Sequence, residues 1–249
     1  MSKPTGLPRV ALCFGGHIRD YAKCHQNIQD GFITVLEHNG YQVDSFASIW
    51  HTKGHRSQNW NGEISVGELV NLMQPKSLLV EQFDRQHFLT KYNTEKYKEY
   101  SHLSTDETCG DSVSMWYKVW SSFQLMEAYA AEHGVVYDIV VRIRFDMLFD
   151  SLFQIEELSN LTHNTVYIPR WHGKYHEVCH EIMDQFMFGD YTAMKRAMSI
   201  FPNIRLLMTQ DIPHTGEGFL YGQLKDMDIR RTSISFSVMR AKGPEKVVE

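Results

Sequence analysis

The order of the apolar runs predicts an α/β protein with a mostly parallel, Rossmann-like central sheet flanked by helices. Three observations carry that prediction. Arg9–Phe14 has the make-up of a strand, Tyr21–Glu37 repeats Ile28, Phe32, Val35 and Leu36 at helical spacing, and Tyr41–Trp50 is again strand-like, which is the order of a βαβ unit. A long helix is expected from Asp111 or Ser112 to His133-Gly134, its stripe of Met115, Val119, Phe123, Met126 and Tyr129 packing on the sheet. It delivers the chain into Ile139-Val140-Val141-Arg142-Ile143, a β-branched run suited to a strand buried on both faces.

The remaining elements follow in order. Asn39-Gly40 stops the first helix, Glu68–Met73 suggests a short helix, and Ser77–Phe83 a third strand. Residues 51–66 contain His51, His55, Trp60, Asn61 and Gly62, which would serve either as a sugar-contacting loop or as a plain polar one. Residues 84–111 are polar and poor in aliphatics, and are expected to be a flexible loop or lid. Further on come a strand over Thr165–Pro169, another over Asp184–Gly189, a helix over Tyr191–Phe201 stopped by Pro202, and a short helix opening at Glu217. Ile234, Phe236 and Val238 alternate within a last strand, Ile229–Met239, and residues 241–249 are expected to be a solvated tail.

Length and composition narrow the function. The 249 residues fit one domain, 1–249, with a first half over 9–83 and a second over 112–240. A net charge of -5 without any local Lys/Arg run excludes a nucleic-acid footprint. No stretch has the apolar length of a membrane span, and Val10–Phe14 is too short for a signal-peptide core. Cys13, Cys24, Cys109 and Cys179 are too far apart for a CxxC pair, so reduced thiols in the cytoplasm are expected. Oligomeric state is not legible from these features.

The residues with chemistry gather around Tyr137–Asp150, where Arg142, Arg144 and Asp146 are threaded through the end of an apolar strand. Unpaired buried charge is costly, so these side chains either pair with one another or face a ligand where the strand leaves the sheet. Ligands of open α/β sheets sit there, and guanidinium forks match phosphate oxygens. Gly15-Gly16-His17-Ile18-Arg19 after the first strand would supply a close backbone approach and a countercharge at a helix N-terminus, or else a plain tight turn. It lacks both the third glycine of GxGxxG and the Lys-Ser/Thr of a P-loop. Asp184 suits a general base, or the cap of a turn, and Glu217 a second carboxylate or a charge favourable to a helix dipole.

His176-Glu177-Val178-Cys179-His180 matches HExxH, which at helical spacing would present two zinc ligands and a base. Lys174 and Glu181 place charges at its flanks, and no third metzincin ligand follows. A zinc-dependent hydrolase on His176, Glu177 and His180 is therefore an alternative function, as is a non-catalytic sugar- or nucleotide-binding module.

Taken together, these stretches resemble the small glycosyltransferases of bacterial polysaccharide clusters and large viruses. Their SGQxR-like turn is matched by Gly15-Gly16-His17-Ile18-Arg19. Their YDxVxRxRxDxxF segment is matched by Tyr137, Asp138, Val140, Arg142, Arg144, Asp146 and Phe149, and an SDQFxxG-like segment by Asp184, Gln185, Phe186 and Gly189. The resemblance implies a single-domain GT-A-like fold that takes a nucleotide-sugar donor and a glycan or other hydroxyl acceptor. It implies donor contacts from Gly15, Gly16, Arg19, Arg142, Arg144 and Asp146, an acceptor contact from Gln185, and Asp184, then Glu217, as catalytic carboxylates. Asp146 would hold a divalent Mn or Mg ion, although Arg144-Phe145-Asp146 offers one acid where a DxD motif has two. On this basis Asp146→Ala is expected to abolish slow hydrolysis of a nucleotide sugar and leave the fold intact.

Overall fold

The computed structural model describes residues 6–51, 65–92, 106–170, 182–240 and 243–246. The chain opens with strand β1 (Arg9–His17), helix α1 (Tyr21–Ile28), a π-helical turn (Gln29–Ile33), helix α2 (Thr34–His38) and strand β2 (Gln42–His51). Helix α3 (Val66–Met73), strand β3 (Ser77–Gln82), helix α4 (Arg85–Tyr92) and the long helix α5 (Asp106–His133) follow. Strands β4 (Ile139–Ile143) and β5 (Met147–Phe149), helix α6 (Glu156–Ser159), and strands β6 (Thr165–Pro169) and β7 (Met187–Gly189) make the middle. The last part comprises helices α7 (Tyr191–Met198), α8 (Ile200–Leu207) and α9 (Gly216–Leu224) and strands β8 (Asp228–Thr232), β9 (Phe236–Arg240) and β10 (Gly243–Lys246).

The main sheet has the order β3-β2-β1-β4-β7-β6-β8. Its pairings are parallel except those of β7, which runs against both β4 and β6. This is the expected mostly parallel α/β architecture, with the βαβ unit in place. From β1 the chain goes to β2 on one side and later returns to β4 on the other, so the strand order reverses at β1, and the carboxyl ends of β1 and β4 are where open α/β sheets bind ligands. No described helix is long and apolar enough to cross a membrane.

The core follows from the apolar runs. Val10–Phe14 and Val140–Val141 have no exposed surface, and α5 lays Val113, Trp116, Val119, Phe123 and Met126 on β1 and β2. The fit against α5 is close enough to dictate a residue type, because a β-carbon at Gly15 would stand 2.7 Å from the Lys118 carbonyl carbon and the Val119 nitrogen. Both are helix backbone atoms, so relief requires moving α5. Gly15→Ala is therefore expected to destabilise by about 1–3 kcal/mol in urea unfolding, the usual cost of overpacking. An unchanged midpoint would mean that α5 slides freely on β1.

Several boundaries differ from expectation. Gly15 and Gly16 belong to β1 rather than to a turn, and the bend falls on Ile18–Asp20. Of the expected loop 84–111, residues 85–92 are α4 and α5 starts at Asp106, while residues 93–105 lie outside the described part. A glycine inside a helix costs only about 1 kcal/mol, which the buried stripe of α5 outweighs at Gly110. Pro202 does not end a helix but sits in the first turn of α8, where its missing N–H costs nothing. Ile229–Met239 is two strands, β8 in the main sheet and β9 in a second, antiparallel sheet of order β10-β9-β5. Within the supposed tail, Gly243–Lys246 pairs with β9 as β10.

Candidate active site

The charged residues gather where β4 leaves the main sheet. After Ile143 the backbone turns through Arg144–Asp146 into β5, which pairs with β9 in the small sheet. Phe145 anchors the turn against Phe14 and Tyr21, with ring centroids 5.2 and 5.6 Å away, and the Met239 N–H donates to the Asp146 carbonyl at 2.8 Å. Helix α1 is fastened to the same corner, since Asn27 donates to the Phe149 carbonyl at 3.0 Å and accepts from the Phe149 N–H at 2.6 Å. These ties bring Arg19, in the bend before α1, against Asp146. Arg19 has φ +50°, a conformation sparsely populated by residues with a β-carbon and one that gathers at functional sites.

Two guanidiniums grip one carboxylate. Arg19 Nη1 donates to Asp146 Oδ2 at 2.7 Å, while Arg144 donates from Nε to Oδ1 at 2.8 Å and from Nη2 to Oδ2 at 2.9 Å. Burial alone would raise the Asp146 carboxyl, but Arg144 and then Arg19 overcome it and hold the group well below the usual carboxylate range. Arg144 likewise loses by burial and is held above its ordinary value by Asp146. Arg142, opposite Cys13 of β1, is fully buried, donates to the Gln185 carbonyl, and has Met115 Sδ 3.9 Å from its Nη2. Burial pushes it down to about 10 against the pull of Asp184, so it remains charged at neutral pH.

Two more carboxylates close the site from the side of β7 and α9. Asp184 is buried just before β7 and lies so close to Gly216 that a β-carbon there would overlap Asp184 Oδ2. Trp116 of α5 fixes the same backbone, its Nε1 donating to the Gly216 carbonyl at 3.2 Å. Thr215 caps α9 by accepting from the Gly218 N–H at 3.1 Å, and Glu217 follows in the first turn, partly exposed. Burial and the neighbouring charge of Asp184 raise the Glu217 carboxyl to about 7, with Thr215 and Arg144 pulling the other way. Gln185 Oε1 and Arg142 Nε are buried without hydrogen-bond partners among the described residues.

Arg19, Arg142, Arg144, Asp146, Asp184, Gln185 and Glu217 thus meet in one cluster. Gly15 and Gly16 lie in β1 behind it; Gly15 is required by α5, and Gly16, at φ +127°, by its own backbone. The HExxH residues His176, Glu177 and His180 fall outside the described part, as do His55, Trp60, Asn61 and Gly62. Sequence reasoning missed Met115, Trp116, Thr215 and Gly216, because a helical stripe and a small residue carry no mark of their use. It also missed a polar group at the ends of β2 and β3. There Lys118, buried in α5, donates to Glu81 at 2.6 Å and lies 4.0 Å from the Trp50 ring centroid, and Tyr117 donates to Glu81 at 2.9 Å. Burial lowers the Lys118 ammonium to about 8, Glu81 opposing, and Ser48 Oγ and Trp50 Nε1 beside it are buried without described partners. The one available signal was a lysine inside an apolar helix stripe.

A divalent metal on Asp146 does not fit these residues. Both carboxylate oxygens already accept from guanidiniums, and no group of three or more His, Cys, Asp or Glu among the described residues could hold a metal ion.

No protein-family model matches the sequence, and no curated protein matches it. Among solved structures, the chain is similar to the apo form of mouse xyloside xylosyltransferase 1, at 10% identity and a TM-score of 0.36, over 88% of this chain and 81% of that one. It is also similar to the apo WbbM bifunctional glycosyltransferase, at 14% identity and a TM-score of 0.44, over 93% of this chain and 40% of that one. Neither superposes closely enough to bear on what this chain does.

Proposed function

We propose that this protein is a glycosyltransferase of GT-A-like architecture that moves a sugar from a nucleotide-sugar donor to a hydroxyl acceptor. The observation that carries this reading is the convergence of three guanidiniums with three carboxylates at the carboxyl ends of β1 and β4, where the strand order reverses. Arg19 and Arg144, at the partly exposed mouth, meet the donor diphosphate, and Arg142 adds positive potential from beneath.

In the reaction the acceptor oxygen bonds to the anomeric carbon while the bond from that carbon to the diphosphate oxygen breaks. The diphosphate keeps the electron pair, and a carboxylate takes the acceptor's proton. Glu217 is the better placed of the two candidates, being partly exposed with a carboxyl poised near neutrality, while the buried Asp184 holds it there and Gln185 Oε1 accepts from the sugar acceptor. The test is incubation with a panel of nucleotide sugars, with chromatography for released nucleoside diphosphate. Release with at least one donor is expected. Binding without any turnover would leave a sugar- or nucleotide-binding module, and no binding at all would remove the donor site.

A further inference from the structure

We propose that the site binds the diphosphate of its donor without a divalent cation, the guanidiniums of Arg19 and Arg144 taking the cation's place and Asp146 serving as the positioning residue that holds them. This rests on the transferase reading above and deepens it. Asp146 is 1% exposed and spends both oxygens on three charge-assisted hydrogen bonds of 2.7–2.9 Å. A metal ion there would first have to displace two arginines and then sit between them as a third cation. Mg²⁺ asks for near-octahedral oxygen ligation at about 2.0–2.1 Å. The other two acids do not supply that shell, because Asp184 lies beside Arg142 against the Gly216 backbone and no three described acidic, His or Cys side chains converge as a metal set.

Two guanidiniums, with Glu217 nearby, reach the surface in front of Asp146. The side chains of Arg19 and Arg144 are 22% and 13% exposed in front of a carboxylate that is 1% exposed. Asp146 engages the Nε–Nη2 edge of Arg144, and Nη1 takes no part in that pairing. A fork held along its Nε–Nη2 edge would meet a second anion through Nη1 without further loss of side-chain freedom. The strained backbone of Arg19 belongs to the same device, since φ +50° carries its side chain across to Asp146.

The test uses inorganic pyrophosphate as probe, titrated calorimetrically into the full chain with EDTA and again with excess magnesium. Pyrophosphate is expected to bind in EDTA, and magnesium is expected not to tighten it. Arg144→Gln should weaken binding by about tenfold, the loss of one charge-assisted pair, and Arg144→Lys, which keeps the charge but not the fork, should fail to restore it. Circular dichroism of both variants separates this loss from unfolding. Asp146→Asn leaves the mouth more positive, so a purely electrostatic contribution would tighten pyrophosphate binding, whereas lost positioning weakens it. Tightening would overturn the positioning role. Binding that requires magnesium would overturn the cation-free site and leave the transferase reading standing; absence of binding under both conditions would overturn the diphosphate site itself.

Discussion

Replacing Asp146 by alanine is expected to destabilise the protein by about 3–5 kcal/mol, the cost of breaking a buried ion pair from one side. The variant would leave Arg19 and Arg144 facing one another across an emptied pocket, both within reach of Arg142. Urea unfolding at neutral pH measures this, and a loss under about 1 kcal/mol, the size of an exposed pair, would show that the guanidiniums turn to solvent without cost. The pH dependence has a definite sign. The folded Asp146 carboxyl is depressed, so its contribution is present above the unfolded value and is lost as pH falls through the depressed one. The gap between wild type and Asp146→Ala should therefore narrow below about pH 4. The resemblance implies a metal ligand whose loss leaves the fold intact, whereas the three hydrogen bonds on its two oxygens predict a structural cost.

Glu217→Gln is expected to lower turnover by about 10²–10⁴-fold, the usual worth of a positioned general base. Because a base acts when ionised, wild-type kcat/KM should rise with pH through about 7 and level off above it. A flat profile, or turnover in the variant within a few-fold of wild type, would remove Glu217 from the reaction. Stability moves the other way and so separates chemistry from folding. Glu217 is raised in the folded state, so between its unfolded value and about 7 the native protein holds a proton that the unfolded chain releases, and stability falls as pH rises through that window. Glu217→Gln removes this effect and should melt higher than wild type at pH 8, with little difference at pH 4.

Much of the fold was legible because its signals are local. The β-branched run at Ile139–Ile143, the helical stripe after Asp111 and the stop at Asn39-Gly40 are read by the chain's own periodicity and turn chemistry. The errors fall where a distant segment decided. Ile234, Phe236 and Val238 alternate on one strand, but nothing local reveals that β9 leaves β8 to pair with β5 and β10. Gly15 looked like a ligand-facing turn because sequence cannot show that the backbone of α5, a hundred residues on, lies against it.

The candidate site divides in the same way. Arg142, Arg144 and Asp146 stood out because charge at the end of an apolar strand must be compensated, and that need is visible in one dimension. The amino-acid sequence by itself determined the mostly parallel α/β sheet, the strand that carries those charges, and most of the charged residues that meet at the candidate site. Only the tertiary structure decided how they pair: that Arg19 and Arg144 consume both oxygens of Asp146, that Asp184 lies against Gly216, and that Glu217 is thereby raised toward neutrality. The reason is physical. A side chain's charge is a property of its residue, whereas its proton affinity and its freedom to bind a metal or a phosphate depend on which charges stand within a few ångströms and on how much water is excluded, and both are set by segments far apart in the chain.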